Sequence, residues 1–172
     1  MTNKKKDKLK FCPLNGDAVF PSKRREDAGY DIYAYFEENW LRLPAHKTTM
    51  VGTGIASVFD EKYVAILKER GSTGSRGMGQ RAGVIDSGYR GEWLVPITNH
   101  NDYDIYIVKE AYLDEFAQQF DPNDCEIYPY GKAICQMVLL PVPDVEVECI
   151  TREDLESYTS KRMNGKLGSS NK

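Results

Sequence analysis

What the sequence lacks sets the first limits on what the chain can be. No apolar run approaches the roughly 20 residues of a membrane span, and the first residues lack the apolar core of a signal peptide. The four cysteines are scattered without a Cys-x-x-Cys pair, which is typical of reduced, mostly buried thiols. The small net charge of −3 argues against a nucleic-acid surface. We therefore expect an intracellular, cytoplasmic protein that binds neither membranes nor nucleic acid.

Short β-strand patterns dominate the sequence, and it contains no internal repeat. The 172 residues are the length of one domain, which we expect to span residues 1–158. Clusters of β-branched and aromatic residues alternate with turn formers. The predicted strands are residues 30–35, 50–59, 63–67, 93–98, 104–108, 134–142 and 145–150. Many short strands without alternating helices predict an all-β barrel or sandwich rather than a βαβ fold.

Two segments depart from the strand pattern. Residues 110–120 carry apolar side chains at helical spacing, so we expect a short amphipathic helix inserted in a loop. Its apolar positions are Tyr112, Leu113, Phe116 and Phe120. This stripe either packs on the barrel or serves as a lid or partner-binding element. Residues 159–172 have the polar, glycine- and serine-rich composition of a flexible tail.

The strongest candidate for anion binding is the segment 70–81, with the sequence RGSTGSRGMGQR. Its four glycines, three hydroxyl residues and three arginines can offer backbone N–H groups, hydroxyl donors and guanidinium forks to a phosphate. No Gly-Lys-Ser/Thr triplet ends the segment, which excludes a P-loop of the Walker type. A flexible linker is the alternative interpretation.

The following segment, residues 82–92, has the sequence AGVIDSGYRGE. It combines the carboxylate of Asp86, the ring of Tyr89 and three glycines that leave the backbone open to a ligand. An ordinary hairpin turn is the alternative. A single carboxylate beside a phosphate-binding segment points to phosphate-ester or phosphoanhydride chemistry.

Five segments, in order, resemble the motifs of the trimeric dUTP pyrophosphatases (dUTPases). They are residues 28–34 (AGYDIYA), the segment 70–81, residues 83–91 (GVIDSGYRG), residues 131–136 (GKAICQ) and residues 162–170. The resemblance covers nearly the whole chain. It implies a dUTPase-like β-clip, or jelly-roll, that forms a homotrimer whose active sites combine motifs from all three subunits. The implied reaction is Mg2+-dependent hydrolysis of dUTP to dUMP and pyrophosphate.

The same resemblance implies a role for each site residue. Asp86 would be the general base that activates the attacking water, with Ser72 and Gln136 also in the catalytic group. Tyr89 would lie against the deoxyribose, and the backbone of the third motif would pair with uracil. Asp31 would reach the Mg2+ through water. The implied substrate-binding residues are Arg70, Gly71, Ser72, Thr73, Gly83, Val84, Ile85, Asp86, Tyr89, Gln136, Arg162, Leu167, Gly168 and Ser169.

Three positions depart from the family pattern. Gly71 stands where the family usually has a serine that donates to the leaving phosphate, so Ser72 or Thr73 would have to replace it. Ala133 stands where an arginine is usual. Leu167 replaces the phenylalanine that stacks on uracil, and leucine covers a base without aromatic stacking.

Two alternative functions follow from the departures and from the fold. The insertion at 110–120 resembles those of phage-encoded members, so a catalytically weakened relative could bind a bacterial repressor or another protein through it. A dCTP deaminase of the same fold is the second alternative. It is disfavoured because Pro96, which cannot carry a proton, occupies the position of the glutamate that deaminases require.

Overall fold

The computed structural model describes residues 7–159, which form twelve short strands and three short α-helices. The strands are β1 (Lys10–Pro13), β2 (Tyr30–Ile32), β3 (Trp40–Leu43), β4 (Thr48–Gly52), β5 (Ile55–Val58), β6 (Tyr63–Lys68), β7 (Met78–Gln80), β8 (Val84–Ile85), β9 (Leu94–Asn99), β10 (Asp104–Val108), β11 (Cys125–Pro129) and β12 (Cys135–Pro141). The helices are α1 (Gly71–Gly74), α2 (Leu113–Gln119), which follows a 3-10 turn at Glu110–Tyr112, and α3 (Arg152–Ser157). Within this part of the chain, no helix is long and apolar enough to cross a bilayer.

The described residues divide into two units, one ending at Val142 and one beginning at Pro143. The first unit contains all the strands, arranged in four sheets. Their orders are β1-β5, β11-β10-β3, β2-β12-β6-β8 and β4-β9-β7. This confirms the predicted all-β class. The sheet β2-β12-β6-β8 carries the predicted site residues Asp31, Val84, Ile85 and Gln136, and the segment that begins at Arg70 follows its strand β6.

Alternation along the strands separates a buried face from an exposed one. In β9, Val95 and Ile97 are fully buried, whereas Leu94 between Trp93 and Val95 faces outward. This is the period-two pattern of a sheet that covers a core on one side. Trp93 and Tyr128 are among the largest wholly buried side chains of that core. The core fixes the strands that present the candidate site.

The predicted inserted helix is confirmed, and it packs on a sheet. Helix α2 connects β10 to β11, which pair in parallel, so the insertion forms one helical crossover in an otherwise largely antiparallel fold. Phe116 is fully buried and lies 5.5 Å from the Trp40 ring and 5.0 Å from the Tyr106 ring, measured between centroids. Phe120 stacks against Phe116. Packing on the barrel is therefore the outcome for these two residues, while Tyr112 and Leu113 at the helix start stay exposed.

Other strand predictions need correction. The predicted strand 50–59 is two strands, because the chain turns at Gly54, whose φ of +65° is a left-handed conformation that favours glycine. Residues 145–150 are not a strand. Their valines alternate with acidic residues, but no neighbouring strand pairs with them among the described residues, and Val147 is 89% exposed. The second unit contains helix α3 instead, begun by a capping box between Thr151 and Asp154.

All four cysteines are free thiols, but the expectation that most are buried is wrong. Cys12 and Cys149 are exposed, and Cys125 is half-buried. Only Cys135, in β12, is buried, and burial raises the pKa of its thiol to about 12. An uncharged thiol at this position behaves as a small apolar side chain, next to Gln136 in the same strand.

Candidate active site

A cavity of about 780 Å3 lies at one end of the sheet β2-β12-β6-β8. Asp31 of β2 stands opposite Gln136 of β12, and Gln136 stands opposite Lys68 at the end of β6. The chain then leaves β6 and passes directly into the glycine-rich segment that begins at Arg70. The cavity is lined by Ser22, Lys23, Arg24, Asp27, Ala28, Gly29, Asp31, Arg70, Gly71, Ser72 and Gln136. Five residues of the sequence prediction, Asp31, Arg70, Gly71, Ser72 and Gln136, therefore meet in one place.

Arg70 and Asp31 form a two-pronged ion pair at the floor of the cavity. The Arg70 Nε lies 2.9 Å from Asp31 Oδ1, and its Nη2 donates to Asp31 Oδ2 at 3.2 Å. Nη1 donates to the Ser72 hydroxyl at 3.3 Å and to the Ala133 carbonyl at 3.4 Å. The fork geometry that holds a carboxylate is the one that holds a phosphate. Asp31 therefore keeps Arg70 aimed into the cavity in an orientation that suits an anion.

Gln136 is fixed by its backbone surroundings. Its Nε2 donates to the Glu69 carbonyl at 2.8 Å, which ties β12 to the start of the glycine-rich segment. A Cβ atom on residue 29 would lie 2.7 Å from Gln136 Oε1, so only glycine fits at residue 29 without displacing the amide. The structural role considered for Gln136 is thus present, and the same contacts hold the side chain at the cavity wall.

The glycine-rich segment folds into helix α1 and a return to β7. Ser72 is exposed to the cavity, whereas Thr73 is wholly buried, with its hydroxyl accepting from the Arg70 N–H and donating to the Arg70 carbonyl. Thr73 therefore shapes the turn and does not line the cavity. Nothing lies within 4 Å of a Cβ built on Gly71, so this position is open.

Of the three arginines in this segment, only Arg70 faces the cavity. Arg76 pairs with Glu126 of β11 at 2.7 Å, with its guanidinium carbon 5.8 Å from the centroid of the Tyr128 ring. Arg81 donates to the Thr98 hydroxyl at 3.1 Å. Neighbouring strands therefore hold Arg76 and Arg81 away from the cavity, and Arg70 is the arginine of this segment that can meet an anion there.

The third motif forms a separate, exposed turn after β8. Gly83 has a φ of +109°, a conformation that favours glycine, and its carbonyl accepts from the Leu67 N–H at 2.7 Å. Asp86 is exposed at the turn and its carbonyl accepts from the Tyr89 N–H. The Tyr89 hydroxyl donates to the Glu92 carbonyl at 3.0 Å, and a Cβ on Gly91 would meet that hydroxyl at 2.5 Å. Gly91 thus lets the tyrosine ring fold over its own turn.

Asp86 lies far from the cavity within one chain. Strands β2 and β8 are the two edges of their sheet, so three strand spacings, about 14 Å, separate them laterally. The register puts Asp86 four residues, about 13 Å, further along the strands than the row that contains Asp31, Gln136 and Lys68. The two halves of the predicted site are therefore about 20 Å apart, and one chain does not bring them together.

Four further predicted residues, Arg162, Leu167, Gly168 and Ser169, lie outside the described residues. One wall of the cavity includes residues that were not predicted from the sequence. Residues 22–29 form one wall, with Lys23, Arg24 and Asp27 lining it. The run Lys23-Arg24-Arg25, two residues before the first motif, is the signal that indicates this wall. Groups of three side chains that could hold a metal by themselves are not found within residues 7–159.

Comparison with known proteins identifies the family. The dUTPase family model matches residues 17–118. The deoxyuridine 5'-triphosphate nucleotidohydrolase of Gloeobacter violaceus is 31% identical over 148 residues, which cover 84% of this chain and 82% of that protein. That of Debaryomyces hansenii is 30% identical over 173 residues, with coverage of 99% and 92%. The fold matches the Staphylococcus bacteriophage 80alpha dUTPase with dUPNHPP, with a TM-score of 0.72, 22% identity and coverage of 95% and 98%. This chain belongs to the dUTPase family.

Proposed function

We propose that this protein hydrolyses dUTP to dUMP and pyrophosphate. The observation that carries the proposal is the cavity in which Arg70, Ser72 and Gln136 converge beside Asp31, in a chain of the dUTPase family. Its volume of about 780 Å3 lies within the usual range for small-molecule sites. Its lining is polar and charged, as a triphosphate requires.

In this mechanism the cavity holds the phosphates and the third motif supplies the base. A carboxylate oxygen of Asp86 takes the proton from a water molecule as the water oxygen bonds to the α-phosphorus. The bond from the α-phosphorus to the bridging oxygen breaks, and the charge that develops on the leaving pyrophosphate is stabilised by the Arg70 guanidinium and by donors such as the Ser72 hydroxyl. The Gln136 amide donates to the Glu69 carbonyl and so holds the start of the glycine-rich segment against β12.

Recognition of the nucleoside would fall to β8 and Tyr89. Because β8 is an edge strand of its sheet, one side of its backbone faces away from β6 and is open to hydrogen bonding with a base. Uracil and cytosine differ in the group at one edge position, so a fixed backbone donor favours the carbonyl of uracil over the amine of cytosine. The Tyr89 ring, 43% exposed over its turn, is the surface against which the deoxyribose would lie.

Mg2+ fits this site as a companion of the triphosphate. No cluster of three ligating side chains is found among residues 7–159. Two carboxylates line the cavity, Asp27 and Asp31, and Asp31 is the one that the family resemblance links to the ion. One carboxylate reached through water suits an ion that keeps most of its hydration shell. When bound, the ion would neutralise phosphate charge and so favour departure of pyrophosphate.

We also propose that the active protein is a homotrimer with shared sites. The separation of Asp86 from Arg70 supports this, because a second chain can supply the group that the first holds at a distance. A partly apolar outer face on the sheet β4-β9-β7 also supports it. Met50 is 56% exposed and Leu94 is 43% exposed on that face, and Val84 of β8 is 65% exposed.

The alternatives gain nothing from this geometry. Phe116 and Phe120 pack on the protein's own sheet, so these two residues of the stripe are not available to bind a repressor. A deaminase would need a proton-carrying side chain at Pro96, which lies in β9 opposite Met50.

Activity against a panel of nucleotides tests the proposed function. Pyrophosphate release is measured with dUTP, dTTP, dCTP and UTP in the presence of Mg2+, alongside ammonia release from dCTP. We expect pyrophosphate from dUTP at a rate at least about 100-fold above that from dCTP or UTP, and no ammonia. Ammonia from dCTP, or equal rates for all four nucleotides, would contradict the proposal.

A further inference from the structure

Residues 22–27, which form most of one cavity wall, belong to none of the five motifs. Its position is set by the backbone, because the Asp31 N–H donates to the Ser22 carbonyl at 2.8 Å. This contact holds Ser22 beside the strand that carries Asp31. Lys23 is the next residue, so its side chain starts at the edge of the cavity that Arg70 occupies.

Both guanidinium groups that line the cavity are already matched by carboxylates. Arg70 is held by Asp31 through two contacts, as described above. Arg24 is held by Asp27 in the same manner, with Nε 3.0 Å from Oδ2 and Nη2 3.1 Å from Oδ1. Hydrogen bonding between Arg24 and Asp27 lowers the pKa of the carboxyl and raises that of the guanidinium, so both stay charged.

Lys23 differs from these two arginines. Its Nζ donates to the Asp27 main-chain carbonyl and lies 5.3 Å from the centre of the Tyr30 ring. Neither group carries a full negative charge. Among the described residues that line the cavity, Lys23 is therefore the one basic side chain that makes no ion pair with a carboxylate.

We propose that Lys23 is a further substrate-binding residue that contacts the non-bridging oxygens of the β- and γ-phosphates. This rests on the proposed function. The ligand portion is assigned to the phosphates because β8 and Tyr89, which would hold the base and sugar, do not line this cavity. The Lys23 ammonium lies at the end of an exposed, flexible side chain. It can therefore exchange its hydrogen bond to the neutral Asp27 carbonyl for one to a phosphate oxygen at little cost in free energy. Lys23 would thus add a point charge beside the fork of Arg70.

The test compares Lys23→Ala with Arg25→Ala, which removes the same charge from an adjacent exposed residue that does not line the cavity. Inorganic tripolyphosphate binding is measured by calorimetry, with Arg70→Ala as the reference that locates binding in the cavity. Steady-state kinetics with dUTP and inhibition by dUMP are measured on the same proteins. We expect Lys23→Ala to weaken tripolyphosphate binding and raise the KM for dUTP by about fivefold, with kcat within about twofold. The dUMP inhibition constant should not change, because dUMP lacks the β- and γ-phosphates.

Lys23→Arg should restore most of the binding, and the effect of Lys23→Ala should shrink as salt rises, as for an exposed ionic contact. Equal tripolyphosphate affinity for Lys23→Ala and Arg25→Ala would overturn the proposal, as would equal weakening of dUMP and tripolyphosphate. If wild type binds tripolyphosphate through Lys23 and Arg70 yet leaves dUTP intact, the role of Lys23 stands and the proposed function fails.

Discussion

At the residue scale, the phosphate cavity depends on contacts that hold reactive groups in place before any ligand contact is made. The Asp31 carboxylate pairs with the Arg70 guanidinium fork, and the Gln136 amide N–H donates to the Glu69 carbonyl. A triphosphate that binds Arg70 must share the fork with Asp31 or displace it. Displacement would free Asp31 to accept from water around Mg2+, which links the two roles that the sequence implied for these residues.

Gly29 offers a test of this arrangement. A methyl group at residue 29 would lie 2.7 Å from Gln136 Oε1, so Gly29→Ala should push the amide out of its position. We expect kcat/KM for dUTP to fall by about tenfold or more, since small displacements in a catalytic group are costly. Gly16→Ala is the control, because nothing lies within 4 Å of a Cβ at that position. Equal activity of the two variants would contradict the role of Gln136 at the cavity.

At the element scale, the inserted crossover is a packed part of the fold. Phe116 is fully buried between Trp40, Tyr106 and Phe120, while Leu113 one turn earlier is 40% exposed. We expect Phe116→Ala to lower the free energy of unfolding by about 3–5 kcal/mol and Leu113→Ala by less than about 1 kcal/mol. Chemical denaturation of both variants gives the comparison. A small loss in Phe116→Ala would mean that α2 is not anchored on the sheet.

Asp104 connects β10 to β3 and to the turn after β3. Burial alone would raise the pKa of its carboxyl, but the Ala45 N–H at 2.8 Å and the Arg42 guanidinium at 2.6 Å together lower it below 3.8. A lowered folded-state pKa adds stability above the unfolded value, and this stability is lost as pH falls through the folded value. Asp104→Asn should therefore lower the free energy of unfolding by about 1 kcal/mol at pH 7. The loss is small because Arg42 is largely exposed, so water screens its charge. The two proteins should converge in stability below pH 3.8, as measured by denaturation across pH. A constant difference at all pH values would exclude the ionised carboxylate as the cause.

Elements with a clear period were predictable, and elements defined by their neighbours were not. The strand at Asp104–Val108 and the helix that follows were predicted because their apolar residues repeat at the strand and helix periods. Strand β11 was missed because residues 125–129 show little alternation and acquire their partner only through the crossover. Residues 145–150 have strand alternation yet lack a pairing partner among the described residues. Pairing is a tertiary property, which single-sequence patterns do not contain.

The candidate site divides in the same way. Arg70, Ser72, Gln136 and Asp31 were predicted from motifs, and the fold brings them to one cavity. Residues 22–27 of the cavity wall were missed because a run of basic residues usually marks a solvated surface. Thr73 was predicted to contact substrate, but a hydroxyl in a tight turn often satisfies the local backbone instead, as it does here.

At the scale of the whole molecule, the distance between Asp86 and Arg70 is the main constraint. If sites are shared between chains, each site takes Asp86 from one subunit and Arg70 from another. The variants Asp86→Asn and Arg70→Ala then remove groups that different subunits supply. Each variant alone should be nearly inactive, whereas co-refolded mixtures should regain roughly a quarter of wild-type activity, since some sites then receive both intact groups. Analytical ultracentrifugation checks that the mixtures are trimeric. No recovery in a trimeric mixture would contradict shared sites.

The most direct test of the central claim is pyrophosphate release from dUTP with Mg2+, measured for wild type and for Asp86→Asn. The substitution changes one oxygen to nitrogen at an exposed turn, so the variant should fold and assemble like wild type. We predict that wild type hydrolyses dUTP, and that Asp86→Asn still binds a non-hydrolysable dUTP analogue but loses about 10²–10⁴-fold in kcat. An inactive wild type, or an Asp86→Asn variant with wild-type kcat, would contradict the account.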